Sequence, residues 1–403
     1  LPGGICLNKQ PGDPFNDLMS VSAFAVPVAA PRPVASQPPQ KKSSYQPQLD
    51  GLRGIAIISV VLHHFDVHLP GLFDWGPIGV RIFFLLSGYL ITQSLWRLQA
   101  DSERAGGGYW PGLLGFHARR MARLLPVLYL MIAAACLMGL PEFRHAVGWH
   151  AAFLSNFYAL RTGDWPAGAS HLWSLSVQEQ FYLLWPFLIL VTPRKWLPPV
   201  LLALVVGGFL FRAMIIGVGA SDFYRWVMLP GVIDTFALGA LIACLRKSGQ
   251  PLPLTSGWIG AGVGVLAIGC FVLARFVRFG PFLGVWAAVI ETLENLFFAW
   301  MLLRTVAGWR GLAGAVFENP GLIFIGKISY GLYIFHVLVN VALTPWLERH
   351  GFGVHENLAV RTVVLFGVSV GVASLSYYFL EAPLGAWVRR KEMSLPGAQA
   401  QPA

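Results

Sequence analysis

Charge is what this chain has least of. Only 12% of its 403 residues are Asp, Glu, Lys or Arg, against about 25% in a soluble domain. That shortage, with a mean hydropathy of +0.61, excludes an ordinary water-facing surface. Cysteine is also scarce: Cys6, Cys136, Cys244 and Cys270 form no CxxC or other metal-ligand spacing, and three lie within apolar runs. They exclude a disulfide framework, read as small packing residues, and give no reason to expect a metal. No repeat relates the two halves, although transporters are commonly built from repeated halves. Acidic residues number 19 against 29 basic ones, a net charge of +10. Such a balance can signal nucleic acid, but its distribution here argues against that partner.

Long apolar runs are abundant. Ten are read, at roughly 52–69, 77–96, 121–140, 174–192, 197–217, 226–245, 257–275, 282–303, 323–346 and 359–381, each near the ~20 residues that cross a bilayer core. The predicted fold class is an all-α, polytopic membrane bundle of about ten helices. With both termini on the cytoplasmic side, thirteen Lys and Arg fall in inner loops and tail, and six in outer loops. That asymmetry obeys the positive-inside rule, with Arg275 and Arg278 as exceptions, so the basic charge orients the chain in a membrane. A bacterial inner membrane is the expected location. Residues 1–47, rich in Pro, Ser, Ala and Gln, read as a disordered tail. The stretch SVSAFAVPVAA is too short, too broken by Pro27 and too poor in flanking charge for a signal peptide. Residues 48–390 form the membrane domain and 391–403 a short C-terminal tail.

Against this apolar background, polar residues inside spans stand out, because they are costly in hydrocarbon and usually have a use there. The first span, LDGLRGIAIISVVLHHF, carries Arg53, His63 and His64. Eleven helical steps place His64 within about 20° of Arg53 and about 16 Å along the axis, whereas His63 sits about 80° away. Arg53 alone is explained equally well by snorkelling to lipid phosphates. The pair on one face points to function.

This opening stretch resembles the signature of the membrane acyltransferase family 3, an Arg followed by a His on the first helix. GVRIFFLLSGYLIT (79–92), RRMARLLP (119–126), HLWSLSVQEQFYLLWP (171–186), GKISYGLYIFH (326–336) and YYFLEAPL (377–384) resemble further family segments in the same order. The resemblance covers residues 49 to about 390. It implies an O-acyltransferase moving an acyl group, most often acetyl from acetyl-CoA, onto a hydroxyl of a sugar, cell-envelope glycan or glycosylated metabolite. It also implies that Arg53 and His64 are essential and that Arg120 and Arg123, in the Arg-x-x-Arg pattern, serve acyl-CoA. Two positions depart from the family pattern: Gln178 where Glu is frequent, and Val232 where Arg often precedes Asp234 by two.

The residues themselves suit such chemistry. Acyl transfer needs a base at the acceptor hydroxyl, which an imidazole such as His64 supplies, and stabilisation of developing negative charge. Arg53 either holds the donor or meets that charge. Arg119, Arg120 and Arg123 at the inner end of the third span have the guanidinium geometry for coenzyme A phosphates, although topology anchoring explains arginines there about as often. In the fourth span Glu179 is poorly explained as packing. It either orients a histidine, pairs with an arginine or positions the acceptor. His171, Ser174, Glu179 and Tyr182 make one polar stripe, and Ser329, Tyr333, His336 and Asn340 make another. Interhelical hydrogen bonding accounts for Ser329 and Asn340 as readily as function does. Tyr182, Tyr333, His336 and Trp173 are expected to bind the acceptor, with the outer loop from Pro141 to Trp173 aiding recognition. Glu381 is expected to partner basic residues. Glu291 and Glu294, one turn apart within a span, support the rival reading of a proton relay in a transporter or glycan flippase.

Overall fold

The computed structural model describes residues 45–67, 75–166, 168–247, 257–276, 283–352 and 354–393, and these contain helices and no strand. Most of the expected tail 1–47, the C-terminal residues from 394, and Arg278 lie outside them; the Arg275 side chain is likewise undescribed. In chain order the helices are α1 (Pro47–His64), α2 (Trp75–Arg104), α3 (Tyr109–Leu137), α4 (Pro141–Ala151), α5 (Ser155–Thr162), α6 (Leu172–Val191), α7 (Leu197–Gly217) and α8 (Asp222–Val227). They continue with α9 (Leu229–Lys247), α10 (Gly257–Phe276), α11 (Leu283–Ala307), α12 (Gly311–Phe317), α13 (Pro320–Lys327), α14 (Ser329–Arg349), α15 (Val354–Ser376) and α16 (Ala382–Met393). A π-helical turn, Tyr377–Glu381, joins the last two.

Among the described residues, eight helices are long and apolar enough to cross a membrane, and a shorter apolar stretch, Trp258–Gly269, lies within α10. The expected count of ten is therefore approximate. α1 is not among the eight, because polar residues occupy both its ends: Gln48, Asp50 and Arg53 at one, His63 and His64 at the other. The expected outer loop 141–173 is substantially helical, folding as α4 and α5.

Two apolar cores hold the bundle. One gathers α2, α6, α7, α9 and α11 around the stacked rings of Phe84, Phe236 and Phe181, with centroids 4.6 and 4.0 Å apart. The other gathers α1, α3, α14 and α15 around Ile57, Val60, Val127, Leu332 and Leu365. α1 and α6 contribute to both cores: Leu52 and Phe181 to the first, Val61 and Leu175 to the second. The region bordered by these two helices is here called the seam, and Arg53, His64, Glu179 and Tyr182 stand on them. Close approach is set by small residues, as in other membrane bundles. A Cβ on Gly54 would collide with the Leu322 carbonyl of α13, and one on Gly239 with the Leu85 carbonyl of α2.

Candidate active site

The site has two ends, named here by α1. Its near end holds Arg53, and its far end holds His64, eleven residues on and about 16 Å along the axis.

At the far end the imidazoles of His64, His171 and His336 meet, with His63 against His64. The His64 and His336 ring centroids are 4.8 Å apart, His171 and His336 5.1 Å, and His64 and His171 6.2 Å. The hydrogen bonds assign the first two tautomers, since a carbonyl oxygen can only accept. His336 Nδ1 lies 2.8 Å from the Tyr333 carbonyl and 3.1 Å from that of Leu332, so it donates. In the neutral ring the lone pair is then on Nε2, which faces His64 Nδ1 at 3.2 Å. His64 Nδ1 also bonds the Val60 carbonyl at 2.9 Å, so it carries the proton and donates to both. The His64 lone pair therefore lies on Nε2, the state a base requires. His336, expected to bind acceptor, is hydrogen-bonded to His64 through this contact. Tyr333 donates to the His171 carbonyl and shares a hydrogen bond with Ser174, fixing the start of α6 against α14.

A further network holds the end of α1. Asn340 donates to the His64 carbonyl at 2.7 Å, and Arg361 to the Phe65 carbonyl at 2.8 Å and to Asn340 Oδ1 at 3.0 Å. The chain leaves α1 through Asp66 in the left-handed region (φ 63°), a conformation Asp adopts more readily than most residues. Its carboxylate lies 3.4 Å from Arg361. Arg361 escaped notice in the sequence because it opens an apolar run, where an arginine reads as an interface anchor. Its near-complete burial was the missing signal. His63 is in edge contact with the His64 ring, centroids 5.1 Å apart, and also packs beside Gly76 at the start of α2.

The near end is charged. Glu179 accepts from Arg120 Nε and Nη2 at 3.2 and 2.8 Å, so of its three expected uses the structure shows pairing with an arginine. Tyr182 lies beneath the same guanidinium, 3.1 Å from ring centroid to Cζ, a cation–π arrangement. Its hydroxyl bonds Ser87 at 2.7 Å and accepts from Gln178, which also bonds Ser87. Gln178 thus serves this network as an amide, with no second carboxylate needed. The π-helical turn carries Glu381 inward, so that its Oε2 lies 3.6 Å from Arg123 Nε; such turns recur at functional sites. Arg53 pairs with Asp50 at 3.4 Å and lies within electrostatic reach of Arg123 and Tyr182. Arg119 is half-buried at the neighbouring helix position. Trp173, on the first turn of α6, packs edge-on to Phe84 and beside Trp165.

Glu291 and Glu294 are not isolated carboxylates. Arg81 of α2 bonds Glu294 and pairs with Glu291, which also pairs with Arg225 and Arg212. Asp234 accepts from Arg212 at 3.0 and 2.8 Å and from Asn295 at 2.9 Å. The guanidinium that position 232 lacks thus arrives from α7. Among the described residues, no three His, Cys, Asp or Glu side chains are placed to hold one metal ion.

A family profile for an acyltransferase domain, that of acyltransferase 3, matches residues 46–378. The peptidoglycan O-acetyltransferase OatA of Listeria monocytogenes is 30% identical, aligned over 84% of this chain and 56% of its own length. YrhL of Bacillus subtilis, provisionally named a peptidoglycan O-acetyltransferase, is 29% identical over 84% of this chain and 55% of its own length. A Staphylococcus aureus protein with a provisional O-acetyltransferase name is 28% identical over 85% of this chain and 58% of its own. The chain spans a little over half the length of these relatives. No solved structure matches it.

Proposed function

Because the chain belongs to the acyltransferase 3 family, we propose that it is an integral membrane O-acyltransferase that transfers an acyl group, acetyl first among candidates, from acyl-CoA to a hydroxyl of a cell-envelope glycan. The observation that carries this reading is one helix bearing both ends of a reaction path. Arg53 starts α1 among arginines suited to phosphates, and His64 ends it beside an orienting imidazole. The near end corresponds to the cytoplasmic side, where coenzyme A is available, with both termini facing that side and the bundle embedded in the inner membrane. Arg53, Arg120 and Arg123 hold the donor phosphates, and the pantetheine arm runs along the seam toward His64. At about 16 Å from His64, Arg53 serves the donor and not the reacting carbonyl.

His64 Nε2 takes the proton of the acceptor hydroxyl as its oxygen attacks the acyl carbonyl. The carbon–sulfur bond then breaks, and the departing thiolate takes the proton from His64. The relay is local and moves no net proton across the membrane. His336 Nε2 accepts from His64 Nδ1 throughout and stabilises the imidazolium, the part a third group plays in other base-assisted transfers. The names of the relatives favour peptidoglycan-type carbohydrate as acceptor. The buried arginine partners of Glu291 and Glu294 favour an enzyme over a proton-coupled flippase, since both carboxylates already serve as ion-pair acceptors.

The test compares His64→Ala with His63→Ala in cells and in detergent, following O-acetyl mass on glycans and acetyl transfer from acetyl-CoA. Loss of a general base costs roughly 10²–10⁴-fold, so His64→Ala should abolish measurable transfer, with His63→Ala much milder. Equal losses, or an unmodified glycan accumulating on one side of the membrane, would count against the reading.

A further inference from the structure

A base works only where it is held, and the end of a helix is a hard place to hold one. The last carbonyls of a helix have no partner within it. At the end of α1, those of Val61, Leu62 and His63 are taken up by the N–H groups of Phe65, Val67 and Asp66. Those of His64 and Phe65 are met by side chains from two other helices. Asn340 of α14 donates to the His64 carbonyl at 2.7 Å, and Arg361 of α15 donates through Nη1 to that of Phe65 at 2.8 Å. Neither side chain takes part in the proton transfers proposed above.

Asn340 and His336 are four apart on α14 and share a face. His336 meets the His64 ring and Asn340 its carbonyl, so one helix grips the same residue at two points. The Asn340 amide makes its bond in only one of two orientations, with nitrogen toward His64. Its other end decides which. Arg361 Nη2 lies 3.0 Å from Oδ1, and a guanidinium only donates, so the atom facing it is the oxygen. Thr344 donates to that oxygen at 2.9 Å. Arg361 is 2% exposed, while its carboxylate partner Asp66, 3.4 Å away, has a half-exposed side chain. A buried charge so loosely paired is weak as a stabilising device, since apolar packing in its place is often as good. Its planar fork is what the site uses, with one prong on the Phe65 carbonyl and the other on Asn340.

Resting on the acyl-transfer reading, we infer that Asn340 and Arg361 are positioning residues for His64. Arg361 turns the Asn340 amide so that its nitrogen holds the His64 backbone, and the pair fixes the depth at which His64 Nε2 meets the acceptor hydroxyl. Both act through His64 and not on substrate. A misplacement of about 1 Å costs on the order of 10²-fold in rate, so the clamp is expected to matter to turnover more than to folding.

The test uses the full-length protein in detergent with acetyl-CoA, reading coenzyme A released to water, a slow acceptor that needs the same base. Asn340→Asp keeps the shape, and Arg361 holds the new carboxylate ionised. The variant thus gains an ion pair but turns an acceptor toward the His64 carbonyl. The expected result is a fall in kcat of about 10²-fold, with KM for acetyl-CoA and the unfolding temperature unchanged, because the donor arginines lie a helix length away. Arg361→Lys keeps the charge beside Asp66 without the fork, and should show a smaller fall with the same split. A merely structural network predicts the opposite ranking: Asn340→Asp stable and active, Arg361→Lys less stable with activity lost in proportion. That ranking would overturn the inference, as would a kcat for Asn340→Asp within about threefold of the unmodified protein. Should Asn340→Asp fail to fold, Thr344→Val, which frees one hold on the amide, joins Arg361→Lys; a normal kcat in both would also overturn it. If the unmodified protein releases no coenzyme A, the donor reading falls and takes this assignment with it. An active protein indifferent to Asn340 and Arg361 removes this assignment alone.

Discussion

Two clusters of arginines and carboxylates are built into this bundle, and they differ in how far they are closed. Around Asp234 and Glu291, the Arg212 side chain is 1% exposed, and the guanidinium is surrounded by Asp234, the Gly231 carbonyl at 2.7 Å and Thr292 at 2.8 Å. Arg81 and Arg225 are also largely covered, with side chains 15% and 10% exposed. At the near end of α1, Arg53 is 31% exposed and Arg123 42%, with carboxylate partners at 3.4 and 3.6 Å. Similar residues thus make two different objects. A buried guanidinium held by several partners inside protein joins helices, and breaking it leaves an uncompensated buried charge. One with a single loose carboxylate has donors left for a ligand, and its carboxylate keeps it oriented until the ligand arrives.

This contrast can be broken by experiment. The largest effect is expected in the closed cluster: Arg212→Ala should cost about 3–5 kcal/mol of stability, seen as a large fall in the unfolding temperature in detergent. A stable Arg212→Ala protein with weakened acetyl-CoA binding would reverse the two roles. Next is Arg123→Ala, which removes a charge-assisted bond worth about 1.5–3 kcal/mol. KM for acetyl-CoA should rise roughly ten- to a hundredfold, with the unfolding temperature unmoved; unchanged donor affinity in both Arg120→Ala and Arg123→Ala would reduce the open cluster to topology anchors. Salt should separate the clusters more gently. Exposed charges are screened over about 8 Å at physiological ionic strength, so added salt should weaken donor binding while leaving the unfolding temperature nearly constant. The smallest effect expected is none: a protonophore should not slow acetyl transfer in proteoliposomes. Activity confined to energised vesicles would return Glu291 and Glu294 to the role of a proton relay.

Much of the site was legible beforehand because a helix imposes its own arithmetic. Arg53 and His64 share a face by residue count, and the structure sets them toward opposite ends of α1. His63, one position off, lies between His64 and the start of α2. Other readings needed the partner helix. Glu179 had three possible uses until Arg120 was seen 2.8 Å away, and Val232 suggested a weakened Asp234 until Arg212 was found filling the place. His336 sat on a polar stripe that pointed to substrate, whereas its Nε2 points at His64. His171 was read as part of a stripe and of a loop, and only the fold brings its ring to 5.1 Å from that of His336.

By itself, then, the sequence determined a helical membrane bundle, since so few charges and so many apolar runs leave no other way to satisfy the backbone in lipid. It also determined which residues share a face within each helix, because the 3.6-residue turn is a local property. Which faces meet was decided only in three dimensions. His64 and His336 are 272 positions apart in the chain and 3.2 Å apart in space. No periodicity carries that relation. Side-chain packing sets the rotation and depth of one helix against another: glycines such as Gly54 and Gly239 let backbones close, and Tyr333 ties α14 to the start of α6. That packing made one arginine cluster a closed joint and left the other partly exposed.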